Sequence, residues 1–166
     1  MDWNIVIQAR VGSIRLPQKM LMPFVGEKSI LQIIIENLLY TFPKDKIIVA
    51  TSTSPADEQI KSVVSNYGIK VFKGDENNVL KRFVDCCEMY NVKNIIRLCA
   101  DNPFLVPNYI KMLVENVTNT DNYLSFSFPD GTPTKNRTSD YLPNLLQLAP
   151  LNKLYNLQTN NYIRNT

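Results

Sequence analysis

Residues Lys46–Phe72, KIIVATSTSPADEQIKSVVSNYGIKVF, decide the fold. The run KIIVAT (Lys46–Thr51) is apolar at successive positions, as in a strand covered on both faces. Pro55 stands at a first helical position, where its missing N–H costs nothing. Ser54 and Asp57 around it have the spacing of a capping pair. A helix is expected over Pro55–Tyr67, with Gly68 as its stop, and KVF (Lys70–Phe72) as the next strand. Strand, helix and strand in this order make one right-handed crossover between parallel neighbours.

The alternation continues outward on both sides. NIVIQA (Asn4–Ala9), NIIRLC (Asn94–Cys99) and YLSFS (Tyr123–Ser127) read as strands. Helices are expected at Ser29–Tyr40, Val79–Tyr90 and Pro107–Asn116, the first opened by Ser29 with Gln32. The expected fold is α/β: a Rossmann-like, three-layer α/β/α arrangement with a mainly parallel sheet. In such sheets ligands bind beyond the carboxyl ends of the strands. The 166 residues fit one domain, residues 1–166. From residue 128 the pattern weakens into an Asn-, Thr- and Pro-rich segment with an apolar cluster at Leu142–Leu154. That segment, 128–166, is open to three readings: a wrap over the sheet, an acceptor or dimer contact, or the stub of a longer protein.

Composition narrows the function. With 45% apolar and 20% charged residues the chain reads as globular, and a net charge of +3 gives no reason to expect nucleic acid or a membrane surface as partner. Its longest apolar run, in SILQIIIENLLY, is interrupted by Gln32, Glu36 and Asn37, so no span is expected. No charged-then-apolar leader opens the sequence, and Cys86, Cys87 and Cys99 offer neither disulfide nor zinc spacing. A cytoplasmic protein with reduced thiols is the expectation. Histidine is absent altogether, which removes Ser-His-Asp, Cys-His and HExxH chemistry. Any catalysis falls to carboxylates, cations, backbone amides and a bound metal ion.

The first strand runs into QARVGSIRLPQK (Gln8–Lys19), which collects Arg10, Arg15 and Lys19 around Gly12 and Pro17. Concentrated positive charge beside a glycine suits an anion, and phosphate is the first candidate. Neither the P-loop pattern nor G-x-G-x-x-G is met, so the residues alone leave phosphate site and ordinary cationic surface open.

QARVGSIRLPQKML resembles the N-terminal signature A-R-x-G-S-x-R-L-P-x-K-x-L of the cytidylyltransferases, which include CMP-sugar-acid synthetases and the spore-coat polysaccharide type. VATSTSPAD, YGIKVFKGDENNVLKRF, RLCADNPFLVP and NNYIRN resemble later family segments in the same order. The resemblance implies a fold of the nucleotide-diphospho-sugar transferase type, with CTP lying across the first loop. Backbone near Ala9 and Gly12 would approach base and phosphates, while Arg10, Ser13, Arg15 and Lys19 would cradle the triphosphate. Arg10 and Lys19 would stabilise charge that grows as pyrophosphate leaves. An ion pair with a carboxylate is the structural alternative for Arg15.

The same resemblance makes Asp101 a ligand of Mg²⁺, a hard cation served by one or two carboxylates with substrate phosphates. On its own, Asp-Asn-Pro also reads as a turn. Ala100 stands where the family has glycine, so its methyl is expected beside the ligand. Asn78 and Arg82 of KGDENNVLKRF fall beside the nucleotide by resemblance, whereas the residues alone allow Asn78 as a helix cap. PDGT (Pro129–Thr132) matches the family's P-D-G, but the acidic pair that should follow is missing. The implied reaction moves CMP from CTP to a sugar-type acceptor, a sugar acid or related compound, for surface polysaccharide or glycoconjugate synthesis. The alternatives are a nucleotide-binding relative without catalysis and an enzyme using another nucleoside triphosphate. A homodimer follows from the resemblance alone.

Overall fold

A computed structural model describes residues 2–12, 16–118 and 126 of the chain. Strand β1 (Asn4–Gln8) leads through a loop to a short hairpin, β2 (Pro23–Val25) and β3 (Lys28–Ser29), and then to helix α1 (Ile30–Thr41). The crossover read from the sequence follows as β4 (Ile47–Ser52), α2 (Glu58–Ser65) and β5 (Lys70–Gly74). Helix α3 (Val79–Tyr90), strand β6 (Ile95–Cys99) and helix α4 (Pro107–Asn116) complete the described order. The expected strand at Tyr123–Ser127, Phe126 apart, and the segment 128–166 lie outside the described residues.

The main sheet has the order β5-β4-β1-β6, and every pairing within it is parallel. Alternate side chains of its strands face opposite layers. Ile5, Ile7, Ile47, Val49, Ile96 and Leu98 pack with buried residues of α1, α2 and α4. Val6, Ile48, Ala50, Phe72 and Ile95 pack instead with Phe83, Val84, Cys86 and Cys87 of α3. Helices therefore cover both faces, which is why the strand sequences lack a polar face.

Local signals set the helix ends. The Ser29 hydroxyl accepts from Gln32 N at 3.4 Å, and Ser29 N donates to the Gln32 side chain at 2.9 Å, the reciprocal pair that opens α1. Phe42 is extended because Pro43 follows it, and α1 stops there. One pairing differs from expectation. Ser54 makes no side-chain cap bond; Pro55–Asp57 form a single 3-10 turn, and α2 begins only at Glu58. Asp57 is turned inward, where stronger partners hold it. The β2–β3 hairpin had no sequence signal, since β2 is exposed throughout and carries no burial pattern.

The registers Gln8↔Ala50, Gln8↔Cys99 and Ser52↔Gly74 bring all four parallel strands to an end on one edge.

Candidate functional site

The loop leaving β1 is anchored at its start and closed on itself. Ala9 N continues the ladder by donating to Ala50 O at 3.1 Å, and Ala9 is buried. Arg10 is exposed one residue further on. Val11 N donates to Asp57 Oδ1 at 2.8 Å, while Val11 O accepts from Gln18 N at 3.0 Å. Gln18 closes the loop with φ +59°, a left-handed conformation unfavourable for a side chain with a Cβ. Lys19 follows, exposed, at the start of a 3-10 turn whose Met20 is buried. Ser13 and Arg15 lie outside the described residues. A β-carbon built on Gly12 meets none of the described residues within 4 Å, and Gly12 has no positive φ. Neither packing among the described residues nor backbone conformation demands glycine there, whereas close approach of a ligand would.

The β5–α3 connection supplies the second wall. The Asp75 carboxylate accepts from Asn77 N at 2.9 Å and Asn78 N at 2.8 Å, and these bonds hold its pKa below the ordinary carboxylate value. Asn78 Oδ1 accepts from Lys81 N at 2.9 Å, so the helix-cap reading of Asn78 is realised. Arg82, in the first turn of α3, is fully buried. Its Nε donates to Asp75 O at 2.8 Å and its Nη2 to Glu76 O at 2.9 Å, which fixes the connection. Its Nη1 is buried with no hydrogen-bond partner among the described residues. Burial, and after it repulsion from Arg10, lowers the Arg82 pKa, which places Arg10 close enough for the two cations to feel each other. Gly74, by contrast with Gly12, is tightly packed: a β-carbon there would lie 2.5 Å from the Phe72 ring and 3.0 Å from Arg82 Cγ.

Asp101 follows β6. Because Gln8 and Cys99 are register partners, Arg10 and Asp101 each stand two residues beyond paired strand ends, on the same edge. The turn after β6 is bonded by Asn102, whose Oδ1 accepts from Phe104 N at 3.1 Å. Asp101 is exposed, and among the described residues no cation pairs with it. The turn-forming task therefore falls to Asn102 and not to Asp101. The Ala100 N–H donates to Gln8 O at 3.0 Å, and the residue is buried in the core on the side of α1 and α4. Its methyl lies in the same core cluster as Val11 and Met20 of the loop. No group of three or more Asp, Glu, His or Cys gathers among the described residues. A lone carboxylate still fits Mg²⁺ when phosphate oxygens supply other ligands.

Two arrangements at this edge were not anticipated. Gln8 Oε1 accepts from Arg97 Nη2 at 2.8 Å and Nε at 3.3 Å, with the guanidinium 5.6 Å from the Phe83 ring centre. A cation inside the apolar run NIIRLC was the signal for it. Asp57 is the other, and its spacing from Ser54 had pointed to the wrong partner.

The family whose model matches this chain is described as cytidylyltransferase, and the match covers residues 4–165. The spore coat polysaccharide biosynthesis protein SpsF of Bacillus subtilis (strain 168) is 38% identical over 110 residues, 64% of this chain and 45% of SpsF. The chain thus spans less than half the length of that relative. A solved cytidylyltransferase from Leptospira borgpetersenii superposes with a TM-score of 0.81 at 28% identity, over 95% of this chain and 65% of the other. CMP:2-keto-3-deoxy-manno-octonic acid synthetase, solved in complex with CTP, shares the fold with a TM-score of 0.64 at 22% identity, over 96% and 78% of the two chains.

Proposed function

Since the chain belongs to the cytidylyltransferase family, we propose that it transfers CMP from CTP to a sugar-type acceptor, a sugar acid or related compound. The observation that carries this reading is the common edge at which Arg10 and Asp101 follow paired strand ends, with Arg82 near Arg10. Cations there, and one carboxylate that no cation pairs with among the described residues, match the needs of a triphosphate whose α-phosphorus is attacked. SpsF by its name concerns a spore coat polysaccharide, and the synthetase solved with CTP acts on a sugar acid; both favour this acceptor class.

In the proposed reaction an acceptor oxygen forms a bond to the α-phosphorus, the bond from that phosphorus to the bridging oxygen breaks, and pyrophosphate departs. The acceptor's proton passes to a carboxylate or to solvent. Gly12 lets the loop backbone approach the phosphates, and Arg10 and Lys19 take up charge growing on the leaving oxygens. Arg82 keeps the β5–α3 connection in place with two of its nitrogens and has Nη1 left to donate. Asp101 would hold Mg²⁺, which supplies charge neutralisation on the phosphates when bound.

A second reading, nucleotide binding without transfer, is favoured by one feature: after Asp130 no acidic residue occurs until Asp140, where the family resemblance calls for an acidic pair. Pyrophosphate release decides between them. The protein is incubated with Mg²⁺, a panel of sugar acids and each of CTP, UTP, GTP and ATP. Acceptor-dependent release with CTP is expected. Tight CTP binding with no release across the panel would establish the second reading, and release with another nucleotide alone would change the base.

A further inference from the structure

Asp57 is 2% exposed, and its carboxylate accepts from two distant segments. Val11 N bonds Oδ1 at 2.8 Å across 46 residues of sequence. Ser52 N bonds Oδ2 at 3.2 Å, and the Ser52 hydroxyl donates to the same oxygen. That hydroxyl is itself oriented, since Ser52 Oγ accepts from Ser54 N at 3.2 Å and its proton is left for Asp57. The turn that presents Asp57 is closed by its own N–H on Ser54 O at 3.0 Å. A buried carboxylate is costly unless its oxygens are bonded, and here backbone of the loop answers it on one side and the end of β4 on the other.

We infer that Asp57 is the positioning residue of the nucleotide loop, fixing the peptide between Arg10 and Val11 against the end of β4 before a triphosphate arrives. Val11 is the hinge of this arrangement, because its N–H meets Asp57 and its carbonyl closes the loop on Gln18. With both groups held, the stretch from Gly12 to Pro17 starts and ends at fixed points, with Arg10 on one flank and Lys19 on the other. A loop whose Val11 and Gln18 are held in advance loses less freedom on binding, so the cations meet the phosphates at lower cost. This inference rests on the reading of the loop as a nucleotide site.

Asp57→Asn tests it. One asparagine oxygen accepts, but the amide nitrogen in place of the other oxygen meets a donor, so either the Val11 or the Ser52 bond is lost. Three quantities are measured on the folded protein below its melting range: hydrogen exchange at the Val11 and Ser52 amides, affinity for CTP with Mg²⁺, and affinity for CMP. The expected result is exchange at the Val11 or the Ser52 amide at least tenfold faster, with the amides of β1 and of Ile47–Thr51 still protected. CTP affinity should fall at least tenfold, and CMP affinity much less, because the loop addresses the β- and γ-phosphates. A folded variant with lowered melting temperature but an unchanged ratio of CTP to CMP affinity would make Asp57 a fold residue and overturn the inference. Unchanged exchange at both the Val11 and the Ser52 amides would overturn it too. If Asp57→Asn does not fold, Ser52→Ala removes one of the donors. CTP affinity between wild type and a tenfold loss then supports the inference, and wild-type affinity sinks it. Failure of the wild-type protein to bind any nucleoside triphosphate would remove the nucleotide reading itself, and is told apart because it precedes any substitution.

Discussion

Gly12 and Gly74 show how differently one residue type is used at the same edge. Among the described residues nothing crowds Gly12, whereas Gly74 is pressed against Phe72 and the stem of Arg82. Gly12→Ala should change stability by no more than about 1 kcal/mol, in either direction, because the chain there already has an ordinary conformation. Its CTP affinity should nonetheless fall at least tenfold. Gly74→Ala should cost about 1–3 kcal/mol through overpacking. Chemical denaturation and nucleotide titration of both variants check the contrast; unchanged CTP affinity in Gly12→Ala would remove the ligand's claim on that glycine. Asp101 gives a second contrast. Asp101→Asn keeps shape and removes the charge a hard cation needs. With Asn102 making the turn bond, stability should move by about 0.5 kcal/mol or less, as for other exposed positions. CTP binding should lose its dependence on Mg²⁺, and Mg²⁺ titrations of the two proteins that superimpose would return Asp101 to a surface role. That Arg10 and Asp101 follow strand ends on one edge was legible because strand ends and parallel direction follow from the sequence pattern. Asp57 was not, since a carboxylate three residues after Ser54 fits a local cap as well as a bond to Val11, 46 residues away.

Among the elements, α3 carries structure and site together. Asn78 caps it, Arg82 in its first turn holds the preceding connection, and Cys86 and Cys87 face the sheet further along. Burial raises both thiols, Cys87 to about 12 from an ordinary value near 9.0 and Cys86 further still. The thiolate is the reactive form, so iodoacetamide at neutral pH should leave both unmodified in the native protein and label them once it is unfolded. The sign for stability follows from the same shift. A folded pKa above the unfolded one contributes stability that is complete below pH 9 and lost as pH climbs toward 12. Denaturation midpoints measured from pH 7 to 11 should therefore hold up to about pH 9 and fall beyond it; rapid native labelling of either thiol would contradict the packing. The long elements α1, α3 and α4 were readable from apolar spacing, caps and Pro107. The β2–β3 hairpin was not, because strands of three and two residues leave no room for alternation and β2 buries nothing. Its turn depends instead on Gly26 at φ +58°.

At the scale of the whole molecule, a parallel sheet converts distant sequence positions into one charged edge. Net charge is only +3, yet Arg10, Arg82 and Arg97 stand at that edge, with Lys19 beside the loop's closure. The carboxylates nearest them are engaged: Asp57 by Val11 and Ser52, Asp75 by Asn77 and Asn78. Positive groups are thus gathered where parallel α/β sheets take ligands, with Asp57, Asp75 and Glu76 partly offsetting the field at Arg82. Binding of an anion to the native state alone must raise stability by mass action. With CTP and Mg²⁺ at a hundredfold excess over the dissociation constant, the gain should be about 2.7 kcal/mol. For a chain of this size each kcal/mol moves the melting temperature by about 2–4 °C, so a rise of about 5–11 °C is expected. CMP at the same concentration should raise it far less, because it lacks the phosphates that the cations address. Added salt should shrink the CTP effect, since Arg10 and Lys19 are exposed and screened. Equal shifts for CTP, UTP, GTP and ATP would mean that the edge reads phosphate alone. No shift with any of them would end the case for a nucleotide at this edge, whatever the family.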